Sequence, residues 1–231
     1  MKTTKKLLAS AVAASALSVA MVPAANAEVA ASVGIASTYL WRGADLGSGT
    51  PQISGDLSYS NSGAYGGVWV ASGDTAAGTE YDLYIGYGTE LGPVSVDVSL
   101  WSYNYPTGAG YTADAETDLT DFTDLVLSLG AGPVALTIYE PVGDDNSPGD
   151  YRYVTLGGSF GDFSATVGIH MDNAGAVPCP ADETDPTCDP IHVDFSYAYN
   201  DNLSFTLSQF IADETSDDDL KVVVSYSIPI E

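Results

Sequence analysis

Apolar and polar residues alternate along most of this chain with a period of two, the spacing of strands that bury or present one apolar face. In 29–41 the odd positions run Val29, Ala31, Val33, Ile35, Ser37, Tyr39 and Trp41; the even ones are mostly small or polar and end at Arg42. In 52–60, Ile53, Leu57 and Tyr59 alternate with Gln52, Ser54, Asp56 and Ser58. The same rhythm holds in 80–88 (Tyr81, Leu83, Ile85, Tyr87), 163–171 (Phe163 to Met171), 191–199 (Ile191 to Tyr199) and 220–230 (Leu220 to Ile230). Weaker segments near 64–72, 94–103, 118–129, 134–140, 151–160 and 203–210 bring the predicted strands to about twelve. In 64–72 and 151–160 the alternation does not assign the faces.

Alternation alone suits a soluble sandwich as well as a barrel, and the connections separate the two. They alternate long and short from the first strand onward. The short ones are Asn61-Ser62-Gly63, Glu90-Leu91-Gly92, Gly130-Ala131-Gly132, Phe160-Gly161-Asp162 and Asn200-Asp201-Asn202; the long ones fall at about 43–51, 72–79, 104–117, 141–150, 172–190 and 211–219. Short periplasmic turns, long outer loops and an even strand number characterise outer-membrane barrels, whereas a Greek-key sandwich has no reason to alternate so strictly. The predicted fold is therefore all-β: a transmembrane antiparallel up-and-down β-barrel with long acidic extracellular loops. Tyr39, Trp41, Tyr59, Tyr87, Trp101, Tyr103, Tyr199 and Tyr226 fall near strand ends, where aromatic girdles meet the two lipid interfaces. This places Tyr39 and Trp41 against lipid.

The first residues read as an address. Lys2, Lys5 and Lys6 precede an apolar stretch, Leu7 to Val22, and Ala25-Asn26-Ala27 is a small-residue cleavage site. The predicted organisation is a signal peptide over 1–27 and one barrel domain over 28–231, exported through the periplasm to a bacterial outer membrane. After the signal no apolar run approaches the roughly 20 residues of a helical span. Cys179 and Cys188 are the only cysteines, and in an exported chain they most simply form a disulfide.

Charge narrows the function. The whole chain has six basic and 31 acidic residues and a formal charge of −25; beyond residue 27 only Arg42, Arg152 and Lys221 face all the acids. Phosphate binding needs Lys and Arg, so nucleic acid is excluded as a partner. Lipid, lipopolysaccharide and small cations or polar solutes are the expected company, and a salty habitat is the alternative cause of the acidity.

If the apolar faces meet lipid, the other parity lines a lumen. The inward candidates are Arg42, Gln52, Asp56, Asp82, Asp97, Asp124, His170, His192, Asp194 and Lys221. Carboxylates in a narrow polar pore favour cations. Closure would pair the first strand with the last and bring Arg42 beside Lys221 at the outer rim. His170 and His192 flank the loop that holds both cysteines, but the spacing is that of no zinc finger or ribbon; a pH-sensitive rim pair suits them better. "DDNSPGD" at 144–150 and "DETSDDD" at 213–219 offer clustered oxygens without an EF-hand pattern. No metal and no cofactor are expected. No G-x-S-x-G, H-E-x-x-H or P-loop pattern occurs, so no enzyme is expected. On paper His170 or His192 could still be paired with Asp194 or Asp172, and a nucleophile beside either ring would reopen the question.

One stretch is more specific. Tyr39-Leu40-Trp41-Arg42-Gly43, then Pro51, Gly55, Ser62-Gly63, Tyr65, Gly67-Val68-Trp69 and Glu80-Tyr81-Asp82-Leu83-Tyr84-Ile85-Gly86-Tyr87, resembles the TorF-type porin family of proteobacteria. The resemblance covers the N-terminal third by motif and the rest by pattern. It implies an outer-membrane barrel and a channel, and brings no catalytic residues and no substrate. The chain departs from outer-membrane proteins in general at its end, Ile228-Pro229-Ile230-Glu231, which lacks the usual terminal aromatic residue. The expected function is a porin-like, cation-preferring channel for passive diffusion of small solutes. The alternative is a non-conducting structural or surface-interaction barrel.

Overall fold

The computed structural model describes residues 27–108, 122–142, 151–171, 189–212 and 218–230. Their strands are β1 (Glu28–Ala36), β2 (Leu40–Trp41), β3 (Ala44–Asp45), β4 (Gln52–Asn61), β5 (Ala64–Asp74), β6 (Gly78–Leu91), β7 (Val94–Asn104), β8 (Thr123–Ala131), β9 (Val134–Pro141), β10 (Arg152–Phe160), β11 (Phe163–Met171), β12 (Ile191–Ala198), β13 (Leu203–Ala212) and β14 (Lys221–Pro229). All except β2 and β3 form one closed antiparallel barrel of twelve strands, each paired with its sequence neighbour. β1 closes it. Val33 lies opposite Gly55 of β4 on one side and Ile228 of β14 on the other. Closure leaves no strand edge unpaired, which a barrel in lipid requires.

The register converts the sequence alternation into two surfaces. Ile35, Ile53, Leu57, Ile85, Leu156, Phe195 and Val222 point outward and are exposed. The intervening positions point into the barrel. Strand lengths of eight to fourteen residues match tilted strands that cross a bilayer. One end carries the short turns, such as Ser62-Gly63 between the paired Asn61 and Ala64. The long connections leave from the other end.

Two sequence expectations are corrected here. The alternation over 29–41 is not one strand: β1 stops at Ala36, and residues 37–47 turn into the barrel as a small hairpin, with Leu40 opposite Asp45 and Trp41 opposite Ala44. Its two-residue tip is Arg42-Gly43, with φ of 47° and 86°, the positive pair that a type I′ turn requires. The Thr38 hydroxyl donates to Asp45 across it, and Leu46 N–H donates to the Tyr39 carbonyl at 2.8 Å. The lipid-facing girdle also loses members. Tyr39 is 2% exposed, Trp41 packs on buried Ala44 and Phe210, and the register turns Trp101 and Tyr103 inward beside Asp124 and Asp82. The apolar side chains of the hairpin gain more by burial in the mouth than they would at a wet interface, because Leu40 packs on Ala36 and Val223. Tyr59, Tyr87, Tyr199 and Tyr226 remain exposed, and all four lie near the short-turn end.

Candidate functional site

The barrel interior has two halves. In the loop-side half the hairpin tip meets the inward side chains of β6 to β14, and almost every group is buried. Arg42 lies at the centre. One guanidinium nitrogen, Nη2, donates to Asp124 Oδ2 at 2.8 Å, and Nη1 donates to Tyr151 Oη at 3.2 Å. The guanidinium carbon lies 4.7, 4.6, 5.5 and 4.7 Å from the ring centres of Trp41, Tyr139, Tyr151 and Tyr153. A planar, weakly hydrated cation suits such a cage. Arg42 therefore reaches across the lumen to β8–β10 instead of staying at the seam with Lys221. The Lys221 ammonium lies 5.3 Å from the Phe210 ring and donates to the Asp219 carbonyl.

The two histidines sit beneath this tip, with ring centres 5.9 Å apart. His170 Nε2 is 2.9 Å from the Arg42 carbonyl, so that nitrogen carries the hydrogen; Nδ1 then accepts from the Tyr151 hydroxyl at 2.9 Å. Arg42, Tyr151 and His170 thus form a hydrogen-bonded ring that returns to the residue it started from. His192 Nδ1 donates to Asp194 Oδ1 at 3.0 Å, and Nε2 accepts from the Tyr153 hydroxyl at 2.7 Å. The pairing of His192 with Asp194 occurs, and the hydroxyl beside it belongs to a buried tyrosine. Farther round the wall, Glu80 accepts from Tyr39 at 2.5 Å and from Tyr105 at 2.8 Å. Asp82 and Gln52 are buried close to the mouth, and Asp82 Oδ1 and Gln52 Nε2 have no partner.

The turn-side half is built differently. Gly157, Ser164, Thr166, Ser196, Ser204 and Ser227 face inward and are only half-buried. Asp56 and Asp97 retain accessible surface on the opposite strands. Tyr84 donates to Asp56 Oδ2 at 2.8 Å, and Tyr65 donates to Asp97 Oδ1 at 2.7 Å. The ten candidates read from the sequence thus divide. Arg42, Gln52, Asp82, Asp124, His170, His192, Asp194 and Lys221 are buried at the loop side, whereas Asp56 and Asp97 are half-buried beside the open half. The alternation of 80–88 puts Tyr84 on the inward face with Glu80 and Asp82 but does not mark it as a site residue; Tyr65, Tyr139, Tyr151 and Tyr153 are missed because inward tyrosines disguise themselves as apolar positions.

Among the described residues no group of three or more His, Cys, Asp or Glu side chains is arranged to hold a metal ion. The signal segment 1–26, Cys179, Cys188, Asp172, the 144–150 run and residues 213–217 of the last acidic run lie outside the described residues.

The chain belongs to the family described as "Bacterial protein of unknown function (Gcw_chp)", whose model matches residues 20–176. No curated protein matches it in sequence. It is similar in structure to a chain described as "Unveiling the Mechanism Behind the in-meso Crystallization of Membrane Proteins", at TM-score 0.53 and 10% identity over 87% of this chain and 83% of that one. This is a likeness of fold alone. Looser matches are a "KdgM porin" (TM-score 0.46, 7% identity, 88% of this chain and 99% of that one) and the COG4313 outer membrane channel from Pseudomonas putida F1 (0.42, 12%, 90% and 96%).

Proposed function

We propose that this chain is a porin-like barrel of a bacterial outer membrane, a passive and cation-preferring path for small solutes. The observation that carries the reading is the contrast of its surfaces. An apolar exterior encloses a turn-side lumen of small hydroxyl and glycine positions, in which Asp56 and Asp97 retain accessible surface. Among the described residues the three basic side chains are elsewhere: Arg42 and Lys221 are at the loop side, and Arg152 pairs with Glu140. The lumen charge is therefore negative, and a low-dielectric wall focuses it on a passing ion. The likeness to TorF-type porins supports the same reading. No reaction is assigned to the barrel, and lipid and lipopolysaccharide are its surroundings.

A salt-gradient reversal potential across a planar bilayer tests this. The potential should take the sign of cation selectivity; anion selectivity refutes the preference. Absence of conductance would favour a second reading, a closed structural or surface-interaction barrel whose acidic loops meet cations or lipopolysaccharide. The buried Arg42 hairpin in the mouth is the observation on its side.

A further inference from the structure

We infer that the wall formed by Asp56, Tyr65, Tyr84, Asp97 and Trp101 is a binding subsite for small organic cations of the ammonium or guanidinium class. This rests on the reading of the turn-side lumen as a place solutes enter, and it names the class of solute held there.

The wall is assembled by two tyrosines that cross the sheet in opposite directions. Tyr84 starts on β6 and lies back over β5 to reach Asp56 on β4. Tyr65 starts on β5 and lies forward over β6 to reach Asp97 on β7. Each passes over a glycine that leaves room for it. A Cβ at Gly67 would fall 2.5 Å from the Tyr84 oxygen, and one at Gly86 would fall 2.4 Å from the Tyr65 ring. No other residue fits beneath these rings without moving them. The two ring centres are 6.3 Å apart. Trp101 stacks on Tyr84 at 4.3 Å and 16°, and its indole N–H donates to Ser99. The result is a paved aromatic surface with a carboxylate at each end.

Three features select a cation. The tyrosine hydroxyls orient Asp56 and Asp97 but bring no charge to neutralise them. Asp56 and Asp97 keep accessible surface, and among the described residues the basic side chains pair elsewhere, Arg42 with Asp124, Arg152 with Glu140 and Lys221 with the Asp219 carbonyl. Trp101 covers one face of Tyr84, so the π surface left to a cation is that of Tyr65 and the uncovered part of the stacked pair, whose quadrupoles attract it most strongly where water is partly excluded. Across the lumen, β10 to β14 present glycine, serine and threonine over their turn-side halves. The paved wall therefore faces short side chains across the lumen. A neutral sugar could stack on the same rings, but it would leave both carboxylate charges uncompensated.

Calorimetric titration of the detergent-solubilised barrel with tetramethylammonium chloride tests this, with sodium chloride and glucose as comparisons. Saturable tetramethylammonium binding is expected, weakened at least about tenfold in the double variant Asp56→Asn/Asp97→Asn while heat-modifiable gel migration is retained. Failure to saturate, an unchanged affinity in that variant, or equal binding of glucose would overturn the proposal. If the double variant does not fold, Tyr65→Phe/Tyr84→Phe takes its place. It keeps the rings and removes the hydroxyls that hold both carboxylates in place, so weakened binding supports the subsite, and unchanged or tighter binding refutes it. A barrel that is silent in bilayers yet binds tetramethylammonium retains the subsite and loses the pore. A conducting barrel that does not bind it retains the pore and loses the subsite.

Discussion

The loop-side and turn-side halves of the lumen share one wall of twelve strands and the same inward parity, yet they use polar groups in opposite ways. At the loop side most of the acids, the histidines and Arg42 have buried partners, Asp82 Oδ1 and Gln52 Nε2 excepted. Asp124 has Arg42, Asp194 has His192, Glu80 has Tyr39 and Tyr105, and little surface remains. At the turn side the inward residues are mostly too short to reach a partner across the barrel, so those serines and glycines keep accessible surface. The difference is one of side-chain length against a fixed diameter. A twelve-stranded barrel is wider than the eight-stranded kind that side chains alone can fill, and here filling takes an extra hairpin. In the proposed channel, occlusion falls to the loop side and ion discrimination to the turn side.

The largest expected effect comes from cutting the hairpin's anchor. Arg42→Ala removes the contact to Asp124, the bond to Tyr151 and four ring contacts, and leaves the buried Asp124 without its cation, with the Tyr103 hydroxyl still donating at 3.3 Å. Breaking a buried pair in this way costs about 3–5 kcal/mol. Single-channel recording should show unit conductance rising several-fold, and the barrel should melt at a lower temperature in detergent. Conductance equal to that of the parent would mean that the tip is not the constriction and would erase the functional difference between the halves.

Gly43→Ala attacks the same half from the backbone. Gly43 has φ of 86°, and a Cβ there would meet His192 at 2.6 Å. The left-handed conformation alone costs an L-residue about 1–2 kcal/mol. A conductance rise in the direction of Arg42→Ala, but smaller, is expected. No change would show that the tip shifts over His192 without leaving the mouth.

How far this division was legible in the sequence follows from what a period of two can carry. The parity of Asp56, Asp82, Asp97, Asp124, His170, His192 and Asp194 was readable because their neighbours are plainly apolar. The hairpin was not. The alternation from Val29 to Trp41 falters only at Ser37 and Leu40, too little to mark the change from a wall strand to an inward one. The available signal was chemical: Arg42-Gly43 as a two-residue turn, with Asp45 beyond it. The two unassigned segments fail for a related reason. In 64–72 the glycine at 67 faces inward beneath a tyrosine, and in 151–160 Tyr153 faces inward while Val154 and Leu156 face out. Hydrophobicity does not distinguish a lumen tyrosine from a lipid-facing one; the register does.

At the turn side the effect should appear in selectivity and not in aperture. Asp56→Asn together with Asp97→Asn removes both accessible lumen charges without changing side-chain volume. In a potassium chloride gradient the reversal potential should move toward zero, with unit conductance and melting temperature near those of the parent. A fall in melting temperature as large as that of Arg42→Ala would mean that these acids hold the wall together as the loop-side acids do.

The smallest effect isolates a single hydroxyl. Tyr84→Phe keeps the ring over Gly67 and its stack on Trp101, and removes the hydroxyl that donates to Asp56 Oδ2 and also meets Ser58. A hydrogen bond of this kind contributes about 1 kcal/mol net when its partner is left without it. Asp56 is half-buried and water can replace the lost donor, so the cost should fall below that figure and the reversal potential should hold. Tyr151→Phe is the matched change on the loop side. It removes a hydroxyl that accepts from Arg42 and donates to His170, in a place where the buried groups have no water to turn to. Its loss in melting temperature should exceed that of Tyr84→Phe by severalfold, since an unsatisfied buried group bears the full desolvation penalty. Equal losses in the two variants would mean that water reaches both halves alike, and that the contrast between them lies in side-chain size and not in dryness.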